Sequence, residues 1–414
     1  MSIVHVDCST IADNPHCPHG PMVKFTKRVK NATKVFYGCS ACRDPKECPF
    51  HLNLGEVLSE AKLRVIAEAK SRLSEGRSST VCRRVRRECG KLEKGQRRYC
   101  RMCFEFVLPV DKKRHKGHDL LLRITDKQLR TPSFFLAAKT NDKKEAQYWF
   151  DGRTKTFLAS IPSIIGANAV LCVGTPTVFE ILHTKNVPSF LLDIDSRYMT
   201  FYDVHEFAWF NMFNFHFLSD ETENLKNLQR LLDTDKTCII LDPPFGCRLE
   251  LLSYTVDRLR QLCTGESFVF LVLPYFMEPR VLQYFPNFEM SDYVLHYENH
   301  SKMKQHKNSA VRFFTDAPPS ILELPSDEGY RHCSKCDRWR HPSNRHCDIC
   351  GTCPSKNATT YKHCDKCATC VKQSWQHCDD CERCFLAPHK CHDNPQLLKR
   401  KRTEKLEKRK RKKK

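Results

Sequence analysis

The tetrapeptide Asp242-Pro243-Pro244-Phe245 carries the side chains best suited to group transfer. It follows the apolar run Cys238-Ile239-Ile240-Leu241, so it is expected at the carboxyl end of a buried strand, where open α/β sheets bind ligands. The Asp242 carboxylate and the Pro243 carbonyl can each accept one hydrogen of a planar exocyclic amine. Held in this way, the amine nitrogen leaves conjugation with its ring and aims its lone pair at an electrophilic carbon for in-line transfer. The prolines fix the turn, and Phe245 offers a face on which a flipped-out base can stack. A surface turn after any buried strand could share these letters, so the rest of the chain must decide.

Cysteines and histidines form the second chemical set. Of 25 cysteines, nine precede residue 104, four lie between 172 and 263, and twelve between 333 and 391. The chain opens MSIVHVDCST, with no basic stretch leading into an apolar one, so a cytosolic or nuclear compartment is expected. In such a reducing compartment, Cys-x2-Cys pairs accompanied by histidines read as zinc ligands rather than disulfides. Cys17, His19, Cys39 and Cys48 make one set of four, with Cys42 a rival for the last place. Cys100, Cys103, His115 and His118 have Cys2His2 spacing, although His-x2-His is one residue shorter than the usual range.

The carboxyl-terminal array is Cys333-x2-Cys336 followed by three copies of His-Cys-x2-Cys-x2-Cys. If each Cys-x2-Cys pair joins the histidine opening the next copy and that copy's last cysteine, interleaved sites result. They are Cys333/Cys336/His346/Cys353, Cys347/Cys350/His363/Cys370 and Cys364/Cys367/His377/Cys384, with Cys378 and Cys381 closing on His389 and Cys391. The whole chain would then hold about six structural zinc ions. A segment so poor in aliphatic residues needs such metals to fold.

The elements that must position these groups lie in the cysteine-poor middle. Apolar runs at 169–174 (AVLCVG), 189–195 (SFLLDID), 238–245 (CIILDPPF), 267–274 (SFVFLVLP) and 311–315 (VRFFT) alternate with amphipathic stretches such as 251–263. This pattern predicts an α/β fold with a mainly parallel sheet and crossover helices. Residues 316–329 read as a linker. The net charge of +21 resides in residues 77–130, with 17 Lys/Arg against 6 Asp/Glu, and residues 399–414, with 12 against 2. Charge concentrated like this points to a polyanion, RNA foremost, and the run 83–101 is expected to line an RNA groove. No apolar run approaches the roughly 18 residues of a membrane span, so no membrane insertion is expected.

A strand running into Asp-Pro-Pro-Phe resembles the amine-methylating subset of class I (Rossmann-like) methyltransferases, and the adenine-N6 enzymes in particular. The resemblance implies S-adenosylmethionine as cofactor and Asp242, Pro243, Pro244 and Phe245 as the catalytic motif, with Asp242 also bordering the cofactor. Gly174, the one glycine kept in LCVGTPTVFEIL (171–182), would lie against the methionine part. Asp193 and Asp195 close the next strand, where a carboxylate can accept both ribose hydroxyls. Asp193 fits the register better, and a helix N-cap is the alternative role. Asn214, in the aromatic run 207–217, sits where the third strand should end and could touch the cofactor's adenine. Gln147, Tyr148, Trp149 and Phe150 would cross the cofactor.

Other modules carry resemblances of their own. The Cys17/His19/Cys39/Cys48 set is similar to the GRF-type zinc finger, which binds single-stranded nucleic acid, with that family's Asn-Gly-Arg-Phe-Tyr run altered over Asn31–Tyr37. The carboxyl-terminal array resembles the cysteine-rich domain of palmitoyltransferases, but their Asp-His-His-Cys motif is replaced by TYKHC and SWQHC. Cys381, Cys384, His389 and Cys391 also resemble a zinc knuckle with a shortened last gap.

Along nearly its whole length the chain resembles the zinc finger CCHC domain-containing protein 4 family of ribosomal RNA adenine-N6 methyltransferases. The division implied is a GRF-type finger at 1–60, a basic segment with a Cys2His2 finger at 61–130, and a class I methyltransferase domain at 131–325. A Cys/His-rich multi-zinc domain at 326–395 and a basic tail at 396–414 follow. The family methylates one adenosine in large-subunit (28S) ribosomal RNA. A place in the nucleolus and nucleus, with a share in the cytoplasm, and contact with ribosome-assembly or RNA-processing proteins are the corresponding expectations. Two alternatives stay open: methylation of guanine N2 or another RNA amine, which the same geometry serves, and an RNA-binding zinc protein whose methyltransferase domain is inactive, as the single glycine would permit.

Overall fold

Apolar runs buried on both faces build one eight-stranded sheet within residues 169–315. The computed structural model describes residues 4–29, 32–42, 46–73, 78–139, 147–300 and 309–389. The strands are β1 (Ala169–Val173), β2 (Ser189–Asp193), β3 (Phe207–Asn211), β4 (His216–Phe217), β5 (Lys236–Leu241), β6 (Glu266–Pro274), β7 (Glu289–Met290) and β8 (Val311–Thr315). Their order is β4-β3-β2-β1-β5-β6-β8-β7. The five central strands, β3 through β6, run parallel, while β4, β7 and β8 pair antiparallel to their neighbours. The expected mainly parallel α/β sheet is therefore present, with VRFFT as an antiparallel strand and two short edge strands in addition.

Helices α1 (Pro176–Thr184), α2 (Glu221–Leu232) and α3 (Leu249–Leu262) supply crossovers between parallel strands. Asp220 caps α2 by accepting from the Glu223 N–H, and the apolar face of α3 buries Leu249, Leu252, Val256 and Leu259. These residues join Leu171, Phe190, Ile239 and Val269 in one continuous core. Each such side chain contributes roughly 1.5–3 kcal/mol relative to exposure. The chain grows from β1 outward to β2 and β3, then crosses back to β5 beside β1. That reversal opens a crevice at the carboxyl ends of β1 and β5, where open sheets bind ligands.

Residues 1–322 form one compact unit, which includes both amino-terminal Cys/His modules, and residues 323–414 form another. The first module is a four-stranded antiparallel sheet of Val4–Asp7, Val23–Val29, Ala32–Gly38 and His51–Asn53. The carboxyl-terminal unit is a row of small hairpins: Arg331–Cys333 with Arg338–Arg340, Tyr361–Cys364 with Thr369–Lys372, and Trp375–Cys378 with Arg383–Leu386. Among the described residues, no helix is long and apolar enough to cross a membrane.

Candidate active site

Asp242 is the first residue beyond β5. Its N–H donates to the Val173 carbonyl at 3.1 Å, which fixes it in the crevice between β1 and β5. The following Pro-Pro turn closes with the Cys247 N–H on the Pro244 carbonyl at 3.1 Å, leaving Pro244 exposed and Phe245 half-buried. Burial pushes the Asp242 carboxyl up to about 8, with a hydrogen bond from Tyr297 pulling the other way. That bond runs from the Tyr297 hydroxyl to Oδ1 at 2.7 Å. The Tyr297 ring stacks on Phe150 at 4.9 Å between centroids and meets Phe245 edge-on at 6.0 Å. One carboxylate oxygen is thereby held by the protein, and Oδ2 receives no hydrogen bond among the described residues.

Gly174 explains its own survival. It has φ +66, and a Cβ there would stand 2.8 Å from the Met212 methyl and 3.1 Å from the Asp242 carbonyl oxygen. Only glycine lets β1 end this close to the turn that begins at Asp242. Asp193 closes β2 and is 5% exposed. Burial, then the neighbouring Asp195 charge, pushes its carboxyl up to about 7, and its Oδ1 accepts the Asp195 N–H at 2.8 Å. Asp195 has a different task. Its carboxylate caps the short 3-10 helix Ser196–Thr200 and is gripped by the Arg197 guanidinium at 2.6–3.0 Å, with Lys139 Nζ 3.3 Å away. Burial opposes its ionisation, yet these cations hold it below the usual carboxylate range. The N-cap role thus falls to Asp195, and Asp193 keeps acceptor capacity for a ribose diol.

The strap Gln147–Phe150 is tied to residues 296–299. Asn299 accepts from the Trp149 N–H at 2.9 Å and donates to the Gln147 carbonyl at 2.8 Å, and the Glu298 N–H donates to the Trp149 carbonyl at 2.8 Å. Phe150 and Tyr297 form an antiparallel bridge, which brings the strap beside Asp242, and Tyr148 lies 5.8 Å from the Tyr297 ring. The buried Trp149 indole N–H has no hydrogen-bond partner among the described residues. An acidic acceptor at the end of β2 and an orphaned donor on the strap fit S-adenosylmethionine.

Asn214 requires a correction. β3 ends at Asn211, three residues earlier than expected, and the chain turns back into β4. The Asn214 amide donates to the carbonyls of His19 and Pro21, at 3.1 and 2.9 Å, while Asn211 donates to His19 and Ser40. With its donors committed to the first finger, Asn214 clamps that module onto the sheet, while its buried Oδ1 has no hydrogen-bond partner among the described residues.

The Cys/His sets assemble as spaced. The ligand atoms of Cys17, His19, Cys39 and Cys48 lie within 4.8 Å of one another, as do those of Cys100, Cys103, His115 and His118. Cys42 stands outside the first set, on His19 Nε2 at 3.7 Å, whereas Cys39 faces Nδ1 at 3.5 Å. The short His-x2-His gap is accommodated by the 3-10 helix Pro109–His115, which buries His115 with its Nε2 on Glu105. All three complete interleaved sets of the carboxyl-terminal array also come together. Their Sγ···Nδ1 distances are 3.2–3.9 Å and Sγ···Sγ distances 3.6–3.8 Å. A tetrahedral ion with metal–sulfur bonds of about 2.3 Å has edges of about 3.8 Å, so these sets are the right size for zinc. In each, the far nitrogen of the histidine faces an aspartate two residues on, at 3.5–3.7 Å, which orients the ring. Cys384 belongs with His377, so a knuckle of Cys381, Cys384 and His389 does not form. His389 Nε2 lies 3.5 Å from Cys381, and Cys391 falls outside the described residues, as does Asn31.

A family model described as probable N6-adenine methyltransferase matches residues 141–317, which span Asp242, Gly174, Asp193 and the strap. A relative from Homo sapiens, named rRNA N(6)-adenosine-methyltransferase ZCCHC4, is 41% identical over 402 residues, covering 91% of this chain and 78% of its own. This chain belongs to the ZCCHC4 family. Relatives of that name from Xenopus tropicalis and Mus musculus are 39% and 38% identical, covering 80% and 81% of this chain and 73% and 70% of theirs.

Two features of this family member escape a sequence reading. Tyr297 and Asn299 act across 55 and 150 residues of chain, and nothing in the run SDYVLHYENH marks them. The basic segment also divides its labour. Arg83 pairs with Asp203, Arg86 lies 4.0 Å from Glu206, and Arg97 is buried on Asp126 and three carbonyls. Those arginines hold the fold together. Arg84, Arg87, Lys112, Lys113 and Lys116 are exposed and remain candidates for phosphate contact. For Tyr297→Phe, which removes the hydroxyl but keeps the ring, a roughly tenfold loss of turnover is expected with little change in cofactor affinity. Steady-state kinetics beside calorimetry would check it, and an unchanged kcat would contradict it.

Proposed function

We propose that this protein methylates the N6 amine of a single adenosine in large-subunit (28S) ribosomal RNA. The observation that carries this reading is the placement of Asp242 at the switch point of the sheet, with one carboxylate oxygen held by Tyr297. S-adenosylmethionine, when bound, supplies an electrophilic methyl group. Gly174, Asp193 and the strap Gln147–Phe150 hold it, and Asp193 accepts the ribose hydroxyls. Asp242 Oδ2 and the Pro243 carbonyl accept the two N6 hydrogens, which turns the nitrogen lone pair out of the ring. Phe245 stacks on the flipped base.

About six zinc ions, each with four protein ligands and no open position, play structural parts. The fingers and the exposed basic residues draw in the phosphate backbone. The basic tail suits residence in the nucleolus and nucleus, with some protein in the cytoplasm, and contact with ribosome-assembly or RNA-processing proteins. The test is methylation in vitro of defined ribosomal RNA fragments, with nucleoside mass spectrometry and mapping of the position. N6-methyladenosine at one site is expected. N2-methylguanosine, or no product from zinc-replete protein, would overturn the reading.

A further inference from the structure

We infer that the second zinc finger holds the cofactor cleft in shape: Phe104, at the finger's metal knuckle, fixes Arg197, and Arg197 in turn fixes Asp195 and Gln147 on the cleft wall. The inference rests on the assignment of that cleft to S-adenosylmethionine.

Its first link is backbone geometry. In the carboxyl-terminal array, the residue after each Cys-x2-Cys pair is left-handed: Asp337, Gly351, Ala368 and Glu382, with φ of 48, 63, 48 and 52. Phe104 follows Cys103 in the same way, with φ 53. A bulky aromatic residue rarely adopts this conformation unless its surroundings impose it. Here the knuckle imposes it, as the Cys103 N–H turns in to Cys100 Sγ at 3.4 Å within the Cys100/Cys103/His115/His118 set.

The second link is what the turned residue touches. The Arg197 guanidinium lies over the Phe104 ring at 5.3 Å, and the Phe104 carbonyl accepts from Thr200 Oγ1 at 3.1 Å. Both contacts fall on the short helix that carries Arg197. The finger is seated firmly enough to transmit them. Its three-stranded sheet is Arg98–Cys100, Glu105–Phe106 and Leu120–Leu122. From it, Tyr99 and Phe106 pack with Phe135 and Phe201 in a cluster with ring centroids 4.7–5.7 Å apart.

The third link reaches the cleft. Arg197 is 5% exposed and spends its fork on Asp195, on the Ala137 carbonyl at 3.1 Å and on Gln147 Oε1 at 3.3 Å. The Asp195 N–H in turn donates to Asp193 Oδ1. From finger to ribose acceptor there are three consecutive contacts. Arg197 is thus a positioning residue, and a planar guanidinium is what lets one side chain serve carboxylate, carbonyl and amide at once.

The experiment measures S-adenosylmethionine affinity by calorimetry on the zinc-loaded full chain. Phe104→Ala is expected to weaken binding about tenfold, through loss of the cation–π contact and the packing beneath Arg197, with zinc content and RNA affinity unchanged. Phe104→Tyr, which keeps the ring, restores binding. Arg197→Lys weakens it comparably, because an ammonium lacks the fork. Wild-type affinity in Phe104→Ala overturns the inference. Should that variant lose zinc, Arg197→Lys decides alone, and wild-type affinity there overturns it equally. A wild-type protein that binds no S-adenosylmethionine would instead sink the assignment of the cleft.

Discussion

Asp242→Ala is expected to lower methyl transfer by about 10²–10³-fold or more while leaving cofactor affinity nearly unchanged. The Asp242 side chain bonds to Tyr297, whereas Asp193, Gly174 and the strap line the cleft on supports of their own. Removing it strips one of the two acceptors from the amine, which relaxes back into conjugation. Asp242→Asn is the informative companion, because its amide keeps an acceptor oxygen and cannot ionise. In the wild type, the form that accepts a hydrogen on Oδ2 most strongly is the carboxylate. With the carboxyl pushed up to about 8, this form grows as pH rises through that value, so kcat/KM should climb on an alkaline limb between pH 7 and 9. Asp242→Asn should retain reduced activity and lack that limb. Rate profiles of the three proteins from about pH 6 to 9.5 make the comparison, with the limb read as a free-enzyme titration. Normal turnover in Asp242→Ala, or the same limb in Asp242→Asn, would remove Asp242 from the chemistry.

What could be read from sequence divides along the range of the interactions. Local signals survived intact. The run CIIL before Asp242 marks a buried strand end, and the interleaved zinc sets follow from counting ligands whose spacing is short and repeated. Gly174 was legible as a glycine but not as a necessity, because the atoms that exclude a Cβ come from Met212 and Asp242, far along the chain. Asn214 was misplaced because the run FAWFNMFNFHF is apolar throughout, and periodicity cannot say where β3 stops when the following hairpin is equally aromatic. The clamp to His19 and Pro21 involves backbone carbonyls, which have no sequence signature. The same holds for the basic segment: charge counts do not distinguish Arg97, buried on three carbonyls, from the exposed Arg87. Residues that act through a partner more than 50 positions away, such as Tyr297, become visible only once the sheet has brought the two together.

Stripping the metals is expected to unfold the carboxyl-terminal array while the central sheet survives. From residue 326 to 389, the buried apolar side chains are Tyr330, Val371, Cys353, Cys381 and Cys384; Cys353 and Cys384 belong to the assembled Cys/His sets, and Cys381 stands against His389. Two non-ligand side chains contribute roughly 1.5–3 kcal/mol each, whereas ordering a backbone costs about 1–2 kcal/mol per residue. Hairpins with strands of three or four residues cannot close that gap, but structural zinc, at about 10–16 kcal/mol per site in finger peptides, can. The sheet has no such dependence, since its core is built from Leu171, Phe190, Ile239 and their neighbours. Limited proteolysis read by mass spectrometry separates the two cases. After chelation, cleavage should spread through residues 333–389 while fragments containing β1 to β8 persist, RNA binding should be lost, and added zinc should restore both protection and binding. Protection of 333–389 in protein shown by elemental analysis to be metal-free would mean that the array folds on contacts other than its Cys/His sets, and those sets would then lose their structural role.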